Sequence, residues 1–559
     1  MPIKKLSIII PLLGYLFGQT TGKISGKITD KITSESLPGT NVYLEQTPYG
    51  TASDKDGRFS IFNIPPGNYT LKVDMIGYKS IRLEAVKISV NRTLSLDIEM
   101  EQTVIEGEVV TVEVARMAQK KDQTGTIKNI SGDEINALAV ESVGSVINMQ
   151  AGVVNGHFRG GRNTEVTYMI DGVQVDETFG GSSAAVEIQP EAVQDLEVIT
   201  GTFNAEYGRA MSGVVNVVTR DGGPKFEGSA SAGLSFFQTA NTDIFIGLSP
   251  DLNRSQDLKF SLGGPLLGDK ITFFTNVRVQ DNKGHLNGHR IFTVTDISNF
   301  YSDDSLEWTS SKSGDSSYVP MNTGENLSAL LKLSFKLFDG IRVSLLGSLS
   351  DDSWFGYDHG FKYNPDGRAG SYKETSYGSF QLNHMINPKL FYELKVSYLD
   401  NYTGNYLFKD PLDYSLADTA GIYHDGNFHE AKDTVYSYIH DKYLENYGSG
   451  FFTGGQQKNH SILSMIDETI KFDLNWQANY NHNIKLGLLK ISHNVDQQWH
   501  AIRNKYDGEA SLADIYKPEI FGDTTVYADL YKVEPQEGAA YLQDKMEFDN
   551  MVINVGLRY

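Results

Sequence analysis

Apolar and polar residues alternate along most of this chain, and the period is two. In Leu327–Leu337, Leu327, Ala329, Leu331, Leu333, Phe335 and Leu337 occupy one face, and Ser328, Lys332, Ser334 and Lys336 the other. Successive strand residues point to opposite faces, so this stretch reads as a β-strand. Asp339-Gly340 then turns the chain into IRVSLLGSLS, where Ile341, Val343, Leu345 and Leu349 again share a face. The pattern recurs at LFYELKVSYLD after Asn387-Pro388, and at TIKFDLNWQANY before IKLGLLKI. Connections alternate in length. Short turns fall near 265–269, 339–340, 387–389, 479–483 and 549–550, and long polar loops near 281–324, 351–373, 401–464 and 495–537. A soluble sandwich gives no reason for one short and one long rim. A transmembrane β-barrel does, with apolar residues facing lipid and polar ones a wet lumen. About 11 such strands are expected over 224–559.

The part before this is organised differently. Residues 22–100 are short β runs between turn residues, such as RFSIF and YTLKV around Pro65-Pro66-Gly67, and predict a small Ig-like β-sandwich of about seven strands. Asp54-x-Asp56-Gly57 hints at a calcium loop, but the remaining ligand positions are missing and a hairpin turn is the reading taken. Residues 101–122 form a linker in which EVVTVEV, flanked by acidic spacers, predicts an unpaired strand ready for a partner edge; the competing reading pairs it with an adjacent domain. Residues 123–223 mix helix and strand in a compact α+β domain. Ser131-Gly132-Asp133-Glu134 is a capping box, a second helix follows over about 142–150, and Pro190 starts a helical turn. Gly213–Thr219 is a β-branched strand. Residues 159–177, RGGRNTEVTYMIDGVQVDE, place two glycines between Arg159 and Arg162 and then a tight Asp171-Gly172 hairpin.

Composition narrows the function classes. With 70 acidic and 49 basic residues the net charge is -21, which would repel a phosphate backbone, so no nucleic-acid partner is expected. Cysteine is absent, excluding disulfides, thiolate metal sites and a cysteine nucleophile. Past the start no run approaches the roughly 18 apolar residues of a spanning helix. Lys4 and Lys5 followed by apolar Leu6–Phe17 read as a secretory signal peptide over 1–20, so the chain is expected to be exported.

FRGGR, YMIDGV, PEAVQDLEVITG, EYGRAMSGVVNVVTRDGG and FSLGGPLLGDKITFFTNVRV, in this order and spacing, resemble TonB-dependent outer-membrane receptors. By that resemblance residues 22–100 are a carboxypeptidase-regulatory-like domain and 123–223 a plug folded inside the barrel. Val109, Val110, Thr111, Val112, Glu113 and Val114 are the candidate TonB box, pairing as a strand with the periplasmic energy transducer TonB. Arg159, Gly160, Gly161 and Arg162 are expected to face the lumen, the glycines turning the backbone close to the barrel wall and the arginines pairing with lumen carboxylates. Asp171 and Gly172 form the plug's hairpin turn, and Glu206, Tyr207, Gly208 and Arg209 complete the plug motif. The family's barrels have 22 strands, so this chain is expected to stop within the barrel. The implied function is energised uptake of a scarce extracellular small ligand across the outer membrane, in contact with its lipid. An adhesin or passive pore with a sandwich binding module is the alternative.

An enzyme is not expected. HExxH is absent, and GGPLLGDK fails as a phosphate-binding loop because Asp269 separates Gly268 from Lys270. His424, Asp425, His429 and Glu430 share a long loop that would suit a metal if held together; a solvated loop is the reading taken. No cofactor and no metal are predicted, and the ligand-binding residues are not legible.

Overall fold

The computed structural model describes residues 21–559 apart from 91, 104–108, 114–124, 178–183, 301, 339, 388, 413, 416–420, 425–426, 431–434, 444–449, 513–515 and 549–550. For 109–113 and the strands within 414–436 it gives backbone positions only. The expected leader over 1–20 lies outside the described residues.

Residues 22–100 fold as two facing sheets. One is ordered Arg58–Ile64, Gly22–Asp30 and Thr93–Ser95, with Ile98–Met100 also on Gly22–Asp30. The other is ordered Gly50–Ala52, Asn41–Leu44, Gly67–Asp74, Ser80–Ile88 and Val109–Glu113. The alternation seen in the sequence decides which residues are inside: Phe59, Ile61, Leu71 and Val73 are buried with Ile24 and Met100 between the sheets. Asp54 Oδ1 accepts hydrogen bonds from the backbone N–H groups of Asp56 and Arg58, and Gly57 takes φ 75°. That is an Asx hairpin turn.

One expectation is corrected here. Val109–Glu113 is not an unpaired strand: it runs parallel to Ser80–Glu84, with Ser80 opposite Val109 and Glu84 opposite Glu113. Without it, Ser80–Ile88 would be an open edge with unmet N–H and C=O groups, and a β-branched segment a short tether away satisfies them. Val114 lies outside the described residues.

The plug is a five-stranded sheet ordered Ile127–Ser131, Val193–Ile199, Gly213–Thr219, Val166–Ile170 and Val173–Gln174. Its helices are Gly132–Asn136, with the Ser131/Glu134 capping box formed, and Val143–Asn148, capped by the Ser142 hydroxyl. Pro190 opens the short 3-10 turn Pro190–Ala192. Gly213–Thr219 is buried at every position, as a β-branched central strand should be.

The wall is an antiparallel sheet of 12 strands. In order they are Glu227–Ser235, Ser255–Leu267, Ile271–Asn282, Thr323–Phe338, Ile341–Phe355, Gly370–Asn387, Leu390–Tyr406, Asn459–Gln477, His482–Ala501, Gln536–Phe548 and Met551–Arg558, with Ala528–Val533 beside them. Ala528–Val533 pairs with Val495–His500 of the strand whose other end, His482–Ser492, pairs with Gln536–Phe548. The twelfth strand therefore shares one wall position with the strand after it, and the break falls at Glu534-Pro535, where proline supplies no N–H. Among the described residues Glu227–Ser235 and Met551–Arg558 have one wall neighbour each.

The two faces of the wall invert the usual burial. Leu331, Leu349, Ile470 and Leu488 are 46%, 56%, 52% and 53% exposed, while Ser328, Lys332, Lys395 and Lys471 on the other face are buried. The inner face is also less wet than its sequence suggests. Phe274, Leu330, Leu346, Tyr377, Leu399, Met465 and Val495 of the wall join Ile130, Val146, Leu196 and Val215 of the plug in one apolar core. Turns of a few residues join the strands at one rim and long loops at the other, as read from the sequence, with an additional long connection over 236–254.

The sandwich sits on the short-turn rim. Asn63 and Asn383 exchange side-chain amide hydrogen bonds, Lys23 lies 3.2 Å from Glu547, and the Arg58 guanidinium lies 4.4 Å from the Tyr480 ring centre.

Candidate functional site

The Asp171-Gly172 turn forms the centre of the contact between plug and wall. Both residues take positive φ, 49° and 78°, which suits Asp-Gly and few other pairs. The turn is buried, and three lysines from three wall strands converge on it. Lys332 Nζ donates to Asp171 Oδ2 at 3.1 Å and to the Thr219 hydroxyl at 2.9 Å. Lys395 Nζ donates to the Asp171 carbonyl at 3.0 Å, and Lys471 Nζ to the Gly172 carbonyl at 3.3 Å. The Thr219 backbone and hydroxyl donate to Asp171, and Asn216 accepts from the Gly172 N–H. Every polar atom that folding buries at this turn meets a partner, which is what a buried charge requires.

The lysines were not singled out from the sequence, although a signal was present. Each occupies an inward position between two outward apolar residues, in LLKLS, ELKVS and TIKFD. Only the topology shows that three such positions share one level of the wall.

A second contact is made by the segment around Glu206. Lys485 Nζ lies 3.0 Å from Glu206, Arg558 donates to the carbonyls of Ala205 and Glu206, and Arg209 lies 2.9 Å from Glu537. Tyr207 packs beside Met169, Ile199 and Val214. Gly208 leaves room for the Arg558 guanidinium, whose nearest atom would lie 2.6 Å from a Cβ there.

Arg159 and Arg162 play a different part from the one expected. Both are exposed, and among the described residues neither meets a wall carboxylate. Arg159 donates to the Thr126 hydroxyl at 2.7 Å, inside the plug. The Arg162 N–H donates to Glu165, whose carboxylate also accepts from Ser212 at 2.5 Å; these two bonds hold the Glu165 carboxyl below the usual range. Gly161 turns the chain against side chains of the plug itself rather than the wall. Gly160 takes φ 79°, and a Cβ on Gly161 would meet the Ser212 hydroxyl at 1.9 Å. In the same motif Phe158 lies over Gly213, where a Cβ would meet its ring at 2.4 Å.

In the loop carrying His424 and His429 the backbone forms a hairpin with Ile422 opposite His429 and His424 opposite Asn427; Asp425 and its side-chain neighbours lie outside the described residues.

Residues 24–112 match the family model described as CarboxypepD_reg-like domain, and residues 119–215 the one described as TonB-dependent Receptor Plug Domain. The chain joins these two domains in that order. The first match runs through Val112, consistent with Val109–Glu113 completing the sandwich sheet. The "TonB-dependent transporter Oar" of Myxococcus xanthus is 28% identical over 294 residues, 46% of this chain and 27% of the relative. "TonB-dependent receptor P3" of Formosa agariphila is 26% identical over 202 residues, 33% of this chain and 19% of that protein. These matches thus span about a quarter or less of the relatives' length. Among solved structures, the outer membrane transporter YddB from Escherichia coli gives a TM-score of 0.49 at 13% identity, covering 78% of this chain and 56% of that one. The siderophore receptor PirA from Pseudomonas aeruginosa gives 0.46 at 14% identity, covering 78% and 56%.

Proposed function

We propose that the protein works as a TonB-dependent outer-membrane receptor for energised uptake of a scarce nutrient. The observation that carries this reading is a wall with an exposed apolar face and a buried polar face, the latter bonded to a plug domain. Water would not favour such a wall, whereas hydrocarbon outside and a folded domain inside satisfy both faces. By the same reasoning the short-turn rim is periplasmic and the long loops are extracellular. The plug shares its core with the wall, which favours a gated route over a passive pore or adhesin. Val109–Val114 is the segment that would engage TonB, and the ligand would enter from the long loops.

The test compares cells making the protein with and without TonB. Labelled ferric chelates, oligosaccharides and peptides are offered singly, and outer membranes are assayed for the protein. Uptake of one class that needs both the protein and TonB supports the reading. Recovery of the protein outside the outer-membrane fraction, or uptake indifferent to TonB, would overturn it.

A further inference from the structure

The sandwich does more than hang from the plug by a tether. It contacts the wall beside three separate short turns, through Asn63 to Asn383, Arg58 to Tyr480 and Lys23 to Glu547. It also grips the underside of the plug. The buried Arg92 donates to Asn129 at 2.7 Å and to the Ile127 carbonyl at 3.0 Å, both on the edge strand that begins the plug. The Val90 N–H donates to Asp195 at 3.1 Å, and Lys87 lies 3.0 Å from Glu134.

Between these contacts is a chamber. Its floor is sandwich, including Lys23, Phe62 and Arg92; its roof is plug, including Gly172, Glu206 and Asn216; its side is the wall between Phe391 and Asn554. The wall lining is charged and largely paired: within the wall Lys395 lies 3.3 Å from Glu393 and Lys471 3.3 Å from Asp473, while Lys485 pairs with Glu206 of the plug. Amides at Asn475, Asn483 and Gln543 add hydrogen-bonding groups to this lining, beside Phe62, Phe391 and Met169.

We propose that the sandwich is a displaceable gate, covering the periplasmic side of this chamber until a pull on the chain unseats it. The proposal rests on the transport reading above. Its geometry is specific. The strand at Val109–Glu113 lies in sequence between sandwich and plug, and is paired with the sandwich's edge. A force applied there reaches the sandwich through that sheet and the plug through the linker. While Arg92 clasps the edge strand Ile127–Ser131, the plug is held at the end where peeling would begin. Unseating the sandwich is therefore the first step, and it opens the chamber and frees that strand together. The bonds to be broken are polar and few: Lys87–Glu134 is half-exposed, whereas Arg92, Asn63 and Asn383 are buried, and they are separate contacts, unlike the continuous apolar core between plug and wall.

The chain has no cysteine, which makes a cross-linking test clean. Asn63→Cys and Asn383→Cys are introduced together in the full chain. Cells are treated with a short reversible bis-methanethiosulfonate, either energised or after a protonophore. Mass spectrometry measures the joined peptides, and heat-modifiable migration checks the fold. Near-complete joining in de-energised cells, falling several-fold in energised ones, is the expected result. Equal joining in both conditions, or none in either, overturns the gate. A parallel Val110→Cys variant is cross-linked towards TonB. Contact with TonB alongside unchanged Asn63–Asn383 joining would reject the gate alone, and no contact would reject the transport reading as well. Asn63 has φ 59°, which Cys adopts less readily than Asn, so Lys23→Cys with Glu547→Cys and a longer linker repeats the measurement from an independent pair.

Discussion

The ammonium of Lys332 on the wall lies 3.1 Å from Asp171 Oδ2 in the plug, and their side chains are 1% and 2% exposed. Removing one member of such a pair strands the other charge away from water, at a cost of about 3–5 kcal/mol. Lys332→Met is expected to loosen the plug by roughly that amount. Lys332→Met with Asp171→Asn should recover part of the loss, because no lone charge is left. Protease protection of the plug in outer membranes reads both. Equal damage in single and double variants would mean that shape at the turn, not charge, holds the plug.

Gly213 offers a test of the motif around Phe158. Its backbone has no positive φ, so only space limits what fits there, and a Cβ would meet the Phe158 ring at 2.4 Å. Overpacking of this kind typically costs about 1–3 kcal/mol. Gly213→Ala should destabilise the plug accordingly, and adding Phe158→Leu should return most of it. Thermal melts of the purified protein decide the matter: an unaffected midpoint for Gly213→Ala alone would rule out the close contact.

What was legible in the sequence followed from local rules. Alternation placed the wall residues on the correct faces, as at Leu331 and Lys332, and the Ser131/Glu134 box capped the helix it was expected to cap. The Asp171-Gly172 hairpin was equally plain. What was missed depends on residues far apart in the chain. Nothing near Arg159 distinguishes a partner at Thr126 from a carboxylate on the wall, and nothing near Val109 names Ser80–Glu84 as its edge. The lysines at 332, 395 and 471 meet one turn only because wall strands separated by loops stand at one level.

Asp176 predicts a pH dependence in the plug. Its carboxylate accepts from the Tyr168 N–H and, at 2.5 Å, from the Gln174 amide. Burial outweighs these bonds and pushes the carboxyl up from 3.8 to about 6. A raised folded pKa means that the stabilising contribution is complete below the unfolded value and is lost as pH rises through about 6. The loss by neutral pH is on the order of 3 kcal/mol at most. Asp176→Asn should flatten the slope and leave the plug firmer at neutral pH. Hydrogen-exchange protection factors of Val166–Ile170, compared between mildly acid and neutral buffers, measure this. A variant that keeps the wild-type slope would remove Asp176 as its source.

The strand Val109–Glu113 has two edges, and proline distinguishes them. In a parallel ladder the N–H groups of alternate residues point to the same side, so Val110 and Val112 address one edge and Thr111 the other. One edge is bonded to Ser80–Glu84, and the other has no strand beside it among the described residues. Proline removes the N–H and fixes φ, so each substitution damages mainly the edge its residue addresses. Val110→Pro and Val112→Pro should therefore behave alike, and Thr111→Pro differently. One class should release the strand from the sandwich, seen as faster hydrogen exchange at Ser80–Ile88. The other should leave that exchange unchanged and abolish TonB-dependent uptake, because a partner strand adds through the backbone. Thr111→Ala keeps its donor and should be mild in both assays. Surface binding of the ligand should survive in every variant, since in the proposed orientation the long loops lie across the membrane from this strand. Normal uptake in all three proline variants would show that the transducer engages the chain somewhere other than Val109–Val114.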